Sequence, residues 1–256
     1  MSEQKWKGGR VKRKHIQAGD GWTVVTHSAA SRRSGEDGAR DARPTRIVEG
    51  LTVEKLLDDL RKMEARWRET TCAQQLERVL QKRTWDVNEA VCIGIGSFSL
   101  DWEHRHRSMW QLALFLATVK LVQHEQSQIR LYAQEPAFTP LDISFLRALN
   151  IAVLSADIQT HITKSSFVFA PFVDWYILLP LFLKGKDPEL YIGNEVLDDY
   201  GVFAKTSEKE RVLEESNETG NIFQRGREWR RVPEFEPHGQ ALEGLMVYWK
   251  EDDEGG

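Results

Sequence analysis

The stretch "AVCIGIGSFS", residues 90–99, decides the fold class of this chain. It is apolar at nearly every position until two glycines, Gly94 and Gly96, interrupt it and serines follow. Unbroken apolar runs are typical of strands that are covered on both faces, as the strands of a parallel sheet are. Four further runs of the same kind follow along the chain, at residues 129–134, 151–156, 166–172 and 189–194.

Segments with helix signals separate these runs. Ser108 stands where it would cap an apolar helix, and Asp174 stands directly before another. Thr139 and Asp142 flank a first-turn proline in the arrangement of a capping box. Alternating strands and helices predict an α/β protein, here a Rossmann-like three-layer fold with a mostly parallel sheet of about five strands.

Composition divides the chain into three regions. Residues 1–50 carry eleven Lys or Arg against six Asp or Glu and few apolar residues, so we expect a mostly disordered basic arm, apart from a short strand or docking segment around Trp22–Val25. Residues 51–204 are expected to form the α/β domain, which opens with one long or two shorter amphipathic helices. Residues 205–256 read as a charged tail, in which alternating apolar residues at 242–249 predict an added edge strand.

The overall composition excludes several classes of protein. With 256 residues, 41% of them hydrophobic, the chain can bury a core, and its formal charge of −4 predicts neither a nucleic-acid nor a membrane partner. Cys72 and Cys92 are the only cysteines and lie far apart, which argues against a disulfide framework and a cysteine zinc site. No apolar stretch is long and unbroken enough to span a bilayer. We therefore expect a soluble protein of the cytoplasm, the nucleus or both.

The candidate binding residues are those that follow the apolar runs, because ligands bind outside the carboxyl ends of the strands in an open parallel sheet. They are Gly94, Gly96, Ser97 and Ser99 after the first run, Glu135 after the second and Asn194 after the fifth.

Each of these positions has a functional and a purely structural interpretation. The two glycines allow a tight turn and close approach of a ligand, and the serines can donate to an anion. The dinucleotide pattern G-x-G-x-x-G is nevertheless incomplete, because Ser99 stands where the third glycine belongs. Glu135 stands where such folds place the acid that binds a ribose hydroxyl, but Pro136 behind it equally suits a turn. A ligand-binding loop and a structural turn both stay open.

Motifs for catalysis are absent from the sequence. It contains no G-x-x-x-x-G-K-[ST] loop, no G-x-S-x-G elbow and no H-E-x-x-H pair. No metal is predicted, no catalytic residue is assigned, and the cofactor, if there is one, is not identified by the residues.

Taken in order, five stretches of the chain resemble the SRR-like domain, the family named from the plant protein "sensitivity to red light reduced". The resemblance covers about Val91 to Tyr200, and "GWTVV", residues 21–25, is similar to the family's usual N-terminal element. The five stretches are "CIGIGSFS", "SMWQLALFL", "LYAQEPAFTPLDISFLRALNIAVL", "FVFAPF" and "LYIGNE".

The resemblance implies a regulatory protein with no agreed biochemical activity. Plant members are linked to circadian and light signalling, animal members to haem-related regulation and yeast members to microtubule-related phenotypes. The pocket that the resemblance implies falls on Gly94, Gly96, Ser97, Glu135 and Asn194, with Gln111 on the first helix. Many members carry a histidine and a cysteine after the proline of the fourth strand, whereas Phe172 and Val173 follow Pro171 here.

We therefore expect a non-catalytic regulatory protein that binds a small molecule or a protein partner, with the crevice at the strand ends as its site. The alternative is an enzyme that binds a nucleotide or S-adenosylmethionine in the same crevice. A third interpretation is a scaffold whose N-terminal helix and charged tails hold partners.

Overall fold

The structure is a computed structural model that describes the strands at 13–17 and 23–27 and residues 46–101, 105–124 and 128–251. It divides into two units, Met1–Arg43 and Pro44–Gly256.

The first unit contains a two-stranded antiparallel hairpin. Strand β1 (Arg13–Gln17) pairs with strand β2 (Thr23–His27). β2 lies where the sequence predicted a short strand, whereas β1 was not expected. Trp22 lies outside the described residues. The last residues of the arm, 46–50, are described and belong to the second unit, where Ile47 forms an isolated bridge with Leu100.

The second unit alternates helices and strands, as predicted. Its helices are α1 (Val53–Arg68), α2 (Thr71–Leu80), α3 (Arg105–Val122), α4 (Pro140–Ala148), α5 (Trp175–Ile177), which continues as a π-helix at Leu178–Leu183, and α6 (Ser207–Gln224). Its strands are β3 (Glu89–Ile93), β4 (Arg130–Gln134), β5 (Ile151–Val153), β6 (Ser166–Ala170), β7 (Leu190–Asn194), β8 (Arg227–Arg231) and β9 (Leu245–Lys250). None of the helices in the described part of the chain is long and apolar enough to cross a membrane.

The strands form one sheet in the order β5-β4-β3-β6-β7-β9-β8. The five apolar runs supply the five parallel strands, and β9 pairs antiparallel with both β7 and β8. The Rossmann-like prediction is confirmed, with seven strands in this sheet instead of five. Chain order reverses between β3 and β6, so this pair forms the topological switch point where open α/β sheets bind their ligands.

Both faces of the sheet are covered, which explains the unbroken apolar runs. On one face α1 packs against α3 and α4, and the Phe115 ring of α3 stacks on Phe167 of β6 at 5.6 Å. On the other face Phe223 of α6 lies against Tyr191 and Tyr248. Residues of β3 and β6 are buried at every position because side chains of both faces meet helices.

Two details differ from the sequence expectation. Ser108 is buried inside α3, which already begins at Arg105 in the described residues, so Ser108 does not cap the helix. The strand expected at 242–249 forms as β9 but lies one place inside the sheet edge, since β8 pairs along its other side. The capping box of Thr139 and Asp142 is present as predicted.

Candidate functional site

The glycine turn follows β3, the central strand, at the switch point of the sheet. Gly94 and Gly96 have φ angles of +72° and +80°, in the left-handed region where side chains other than hydrogen are strained. The sequence prediction of a tight glycine turn at this strand end is therefore met by the backbone. The two glycines nevertheless face different neighbours.

Gly94 makes room for the turn after β6. A Cβ atom placed on Gly94 would lie 2.6 Å from Cγ2 of Val173, far inside van der Waals contact. The turns that follow β3 and β6 thus touch at this glycine. Close packing of two protein loops, and not only approach of a ligand, requires glycine here.

Gly96 is tied to Glu135 at the end of the neighbouring strand β4. The Gly96 N–H donates to Oε2 of Glu135 at 3.1 Å, and the Ala137 N–H donates to Oε1 at 2.9 Å. The carboxylate, which is only partly buried, therefore joins the glycine turn to the turn after β4. The sequence analysis placed these residues at adjacent strand ends, and the structure brings them together.

Ser97 and Ser99 turn into the protein interior, away from the role of anion donors. The Ser97 hydroxyl donates to Oδ2 of Asp142 at 2.6 Å and accepts from the Ser99 and Leu100 N–H groups. The Ser99 hydroxyl lies 2.7 Å from that of Thr139. Both serines are fully buried.

Asp142 is the residue that holds this interior cluster together. Besides Ser97, it accepts from the Phe98 N–H at 3.1 Å and the Thr139 N–H at 2.9 Å, and its carboxylate is fully buried. The capping-box pattern revealed its helix-capping role in the sequence. Its bonds to the glycine turn, which join residues more than forty positions apart, leave no local pattern that could have revealed them.

Asn194 supports the turn after β6. Its Oδ1 accepts from the Phe172 N–H at 3.2 Å, and its Nδ2 donates to the Val173 carbonyl at 2.8 Å. Phe172 has a φ of +59°, a strained conformation for an aromatic residue. The amide of Asn194 thus holds a strained turn beside the glycine turn.

The Phe172 ring forms part of the surface at this strand end. It is 36% exposed, and the Arg107 guanidinium of α3 lies 5.0 Å from the ring centre, a cation–π distance. Sequence reasoning singled out Phe172 only as a departure from the family pattern. The structure places its ring at the surface beside Arg107.

Gln111 serves another part of the molecule. It is buried on α3, and its Nε2 donates to the Ala241 carbonyl at 3.0 Å. This bond fixes the segment that precedes β9, so the structure does not join Gln111 with the turn residues.

Burial disfavours the thiolate form of both cysteines. Burial, with a contribution from the charge of Glu236, raises the pKa of Cys72 to about 12. Burial, with a contribution from Glu135, raises the pKa of Cys92 still further. Nucleophilic thiol chemistry requires the thiolate, so neither side chain is poised for it. No group of three or more His, Cys, Asp or Glu side chains that could hold a metal occurs in the described residues.

A groove lies away from these turns, near the amino ends of β4 and β5. This groove of about 490 Å³ opens beside the end of α3 and the first residues of β4 and β5, with Val119, Arg130, Tyr132 and Ala152 in its lining.

Two solved structures are similar to the chain at low sequence identity. The chain is similar to cofactor-bound Rv0187 from MTB, with 10% identity, a TM-score of 0.37 and coverage of 78% of this chain and 91% of that one. It is also similar to M. jannaschii TYW2 in complex with AdoMet, with 13% identity, a TM-score of 0.32 and coverage of 71% and 76%. Both superpositions are too loose to assign a ligand or an activity to this chain.

Sequence comparison gives a sharper result. No curated protein sequence is significantly similar to the chain. A family model, however, matches residues 69–249, a wider span than the 91–200 region that carries the resemblance in the sequence, while the stretch 21–25 lies outside it. Because this match covers most of the chain, the protein belongs to the SRR1 domain family.

Proposed function

We propose that this SRR1-domain protein is a regulatory protein of the cytoplasm or nucleus that binds a nucleoside-containing small molecule. The binding site is the crevice at the carboxyl ends of β3, β4 and β6. The observation that carries the proposal is the position of Glu135, whose carboxylate meets the Gly96 N–H at the switch point of the sheet. In related folds the acid at the end of the second strand accepts from ribose hydroxyls.

Glu135 is held in place by the protein backbone. Its Oε2 accepts from the Gly96 N–H and its Oε1 accepts from the Ala137 N–H. The two backbone bonds fix the carboxylate in place before a ligand arrives, which reduces the entropy lost on binding.

The neighbouring wall suits the flat apolar face of a base. Phe172 and Val173 stand where many relatives carry histidine and cysteine, and the Phe172 ring is partly exposed beside the Arg107 guanidinium. These side chains supply apolar surface and a positive charge, but no nucleophile. This composition supports binding and regulation over covalent chemistry at this turn.

A ligand screen by thermal unfolding tests the proposal with the full chain. A ligand present at a hundredfold excess over its Kd adds about 2.7 kcal/mol of stability, so S-adenosylmethionine, ATP, NAD or haem would raise Tm if bound. We expect the nucleoside compounds to do so and haem not to. If none of the nucleoside compounds raises Tm at millimolar concentration, the proposal is wrong.

Two variants separate binding from folding. Glu135→Ala removes the ribose acceptor as well as the partner of two backbone N–H groups, so it should lower Tm and abolish the rise caused by ligand. Ser97→Ala should also lower Tm, because it breaks the bond to Asp142, but should keep that rise. Equal loss of the ligand effect in both variants would show that only general instability was measured.

A second candidate function is an enzyme that uses the same crevice. The strained φ of Phe172 favours it, because strained residues concentrate at active sites. Mass spectrometry of the bound ligand after incubation distinguishes the two: recovery of unchanged ligand supports the regulatory role, and a converted product supports the enzyme.

A further inference from the structure

Strand β8 forms an open edge of the sheet. It pairs with β9 in a register that sets Arg227 opposite Lys250 and Trp229 opposite Tyr248. On its other side, β8 pairs with no strand among the described residues. An open edge presents a row of backbone donors and acceptors to another chain.

The hydrogen bonds at the two ends of the ladder show which groups face outward. The Val232 N–H donates to the Leu245 carbonyl at 2.8 Å, and the Glu251 N–H donates to the Gly226 carbonyl at 3.0 Å. Residues of an antiparallel strand bond alternately to one side and to the other. The even-numbered residues of β8 therefore face β9, and the N–H and C=O groups of Trp229 and Arg231 face outward. The Trp229 carbonyl accepts one hydrogen bond from the Arg230 guanidinium at 3.3 Å, and a carbonyl oxygen can accept two.

The side chains along this edge are basic and aromatic. Trp229 is 53% exposed, and Arg225, Arg230 and Arg231 are exposed as well. Within the part of the chain that the structure describes, these three arginines form no ion pair. Glu228 is the one acidic residue between positions 225 and 231. The open backbone edge is thus lined with positive charge.

A second copy of this chain is a poor partner for the edge. Antiparallel pairing of two β8 strands would add the arginines of the second copy to an edge that already carries Arg225, Arg230 and Arg231, and this accumulation of like charge opposes the pairing. A segment of opposite charge removes this repulsion, and the exposed Trp229 ring gives it an apolar contact.

We propose that the outer edge of β8 binds an extended, acidic peptide segment of a partner protein as an added strand. The peptide backbone pairs with the outward N–H and C=O groups of Trp229 and Arg231, and its carboxylates lie against the arginine side chains. Strand addition of this kind derives affinity from the backbone and specificity from the side chains. The proposal does not depend on ligand binding at the ends of β3, β4 and β6, because β7 and β9 separate those strands from β8.

The test uses the full chain and a fluorescein-labelled ten-residue peptide of alternating Glu and Val, with binding measured by fluorescence anisotropy. We expect saturable binding that weakens with salt, and no binding of the matched peptide that carries Lys instead of Glu. Absence of binding by the acidic peptide, or tighter binding of a thymidine decamer than of this peptide, would overturn the proposal.

A proline substitution tests the role of the backbone. Arg231→Pro removes an outward N–H without breaking a bond to β9, a placement that edge strands tolerate. We expect it to weaken binding about tenfold more than Arg231→Ala, which removes the same charge but keeps the N–H. Equal Kd values for the two variants would contradict strand addition.

A charge reversal keeps the proposal testable if Arg231→Pro fails to fold. The double variant Arg230→Glu and Arg231→Glu leaves every backbone group in place. It should lose the acidic peptide and bind the Lys peptide instead. Retention of the acidic peptide by this variant would show that the edge is not its site.

Discussion

Gly94 is the residue at which two strand-end turns meet. Its φ of +72° and the 2.6 Å that would separate an added Cβ from Val173 Cγ2 are two independent reasons for glycine. A left-handed conformation costs a residue with a Cβ about 1–2 kcal/mol, and overpacking in a filled interior costs about 1–3 kcal/mol. The two costs can be separated by experiment.

Gly94→Ala should lower the free energy of unfolding by about 3 kcal/mol, measured by urea denaturation, because strain and overlap add. Gly185→Ala is a matched control, since Gly185 has a φ of +64° with no atom near an added Cβ, so only the strain of about 1 kcal/mol remains. In a Val173→Ala background the cost of Gly94→Ala should fall toward that of the control. An unchanged cost would mean that Val173 is not the obstacle.

Single residues of the site were predictable where they follow a strand end. Gly94, Gly96 and Glu135 lie at adjacent ends of β3 and β4 because parallel strands end at the same edge. The direction of a side chain was not predictable in the same way. Ser97 and Ser99 look like anion donors in the sequence, and only the fold reveals that Asp142 draws Ser97 inward.

At the scale of elements, a cluster of ion pairs connects the ends of β7, β8 and β9. The Arg227 side chain is 2% exposed and pairs with Asp187. The Lys250 Nζ lies 3.5 Å from Oδ2 of Asp187 and 3.3 Å from Oε2 of Glu189. Burial lowers the pKa of Arg227, and the charge of Asp187 opposes that shift. The Arg227–Asp187 ion pair therefore affects stability mainly because its loss would leave a buried, charged guanidinium unpaired.

Asp187→Ala should lower the free energy of unfolding by about 3 kcal/mol, because removal of Asp187 leaves a buried guanidinium without its ion-pair partner, with only the charge of Glu189 nearby. Asp58→Ala provides the contrast, since it breaks an exposed pair with Lys62 on α1 and should cause no measurable change. Urea denaturation of both variants checks this. Similar losses in the two would show that burial of Arg227 does not set the cost.

Strands that are buried could be predicted from the sequence, and the exposed strand could not. The central strands β3, β6 and β7 are buried on both faces and could be read directly from the sequence, and β9 is also buried at all but its last position. Strand β8, "REWRR", is exposed at four of its five positions. Its strand conformation comes from pairing with β9 and not from a local pattern, so no sequence signal predicted it.

At the scale of the whole molecule, buried thiol and tyrosine hydroxyl groups make the free energy of unfolding depend on pH. Burial raises the pKa of both the Cys72 thiol and the Tyr200 hydroxyl to about 12, and it raises the pKa of Tyr191 well above its ordinary value. An unfolded chain loses these protons from about pH 9 for cysteine and about pH 10 for tyrosine. Between those values and pH 12 the unfolded chain holds fewer protons than the folded one.

The free energy of unfolding should therefore fall as pH rises above about 9, by up to about 1.4 kcal/mol per pH unit for each group that has lost its proton only in the unfolded state. Urea denaturation at pH 8, 9.5 and 10.5 measures the slope. Cys72→Ala should flatten the part of the curve that begins near pH 9. A free energy of unfolding that stays constant from pH 8 to pH 10.5 would contradict the burial of these groups.

The place of β9 between β7 and β8 has a consequence for synthesis on the ribosome. Leu245, the first residue of β9, is translated about fifty residues after Asn194, the last residue of β7. At 5–20 residues per second, the edge of β7 that pairs with β9 therefore stays unpaired for roughly three to ten seconds. During that interval the nascent chain offers an apolar strand to chaperones and to other nascent chains. A premature stop codon before Leu245 would make the interval permanent, and such products should accumulate as aggregates.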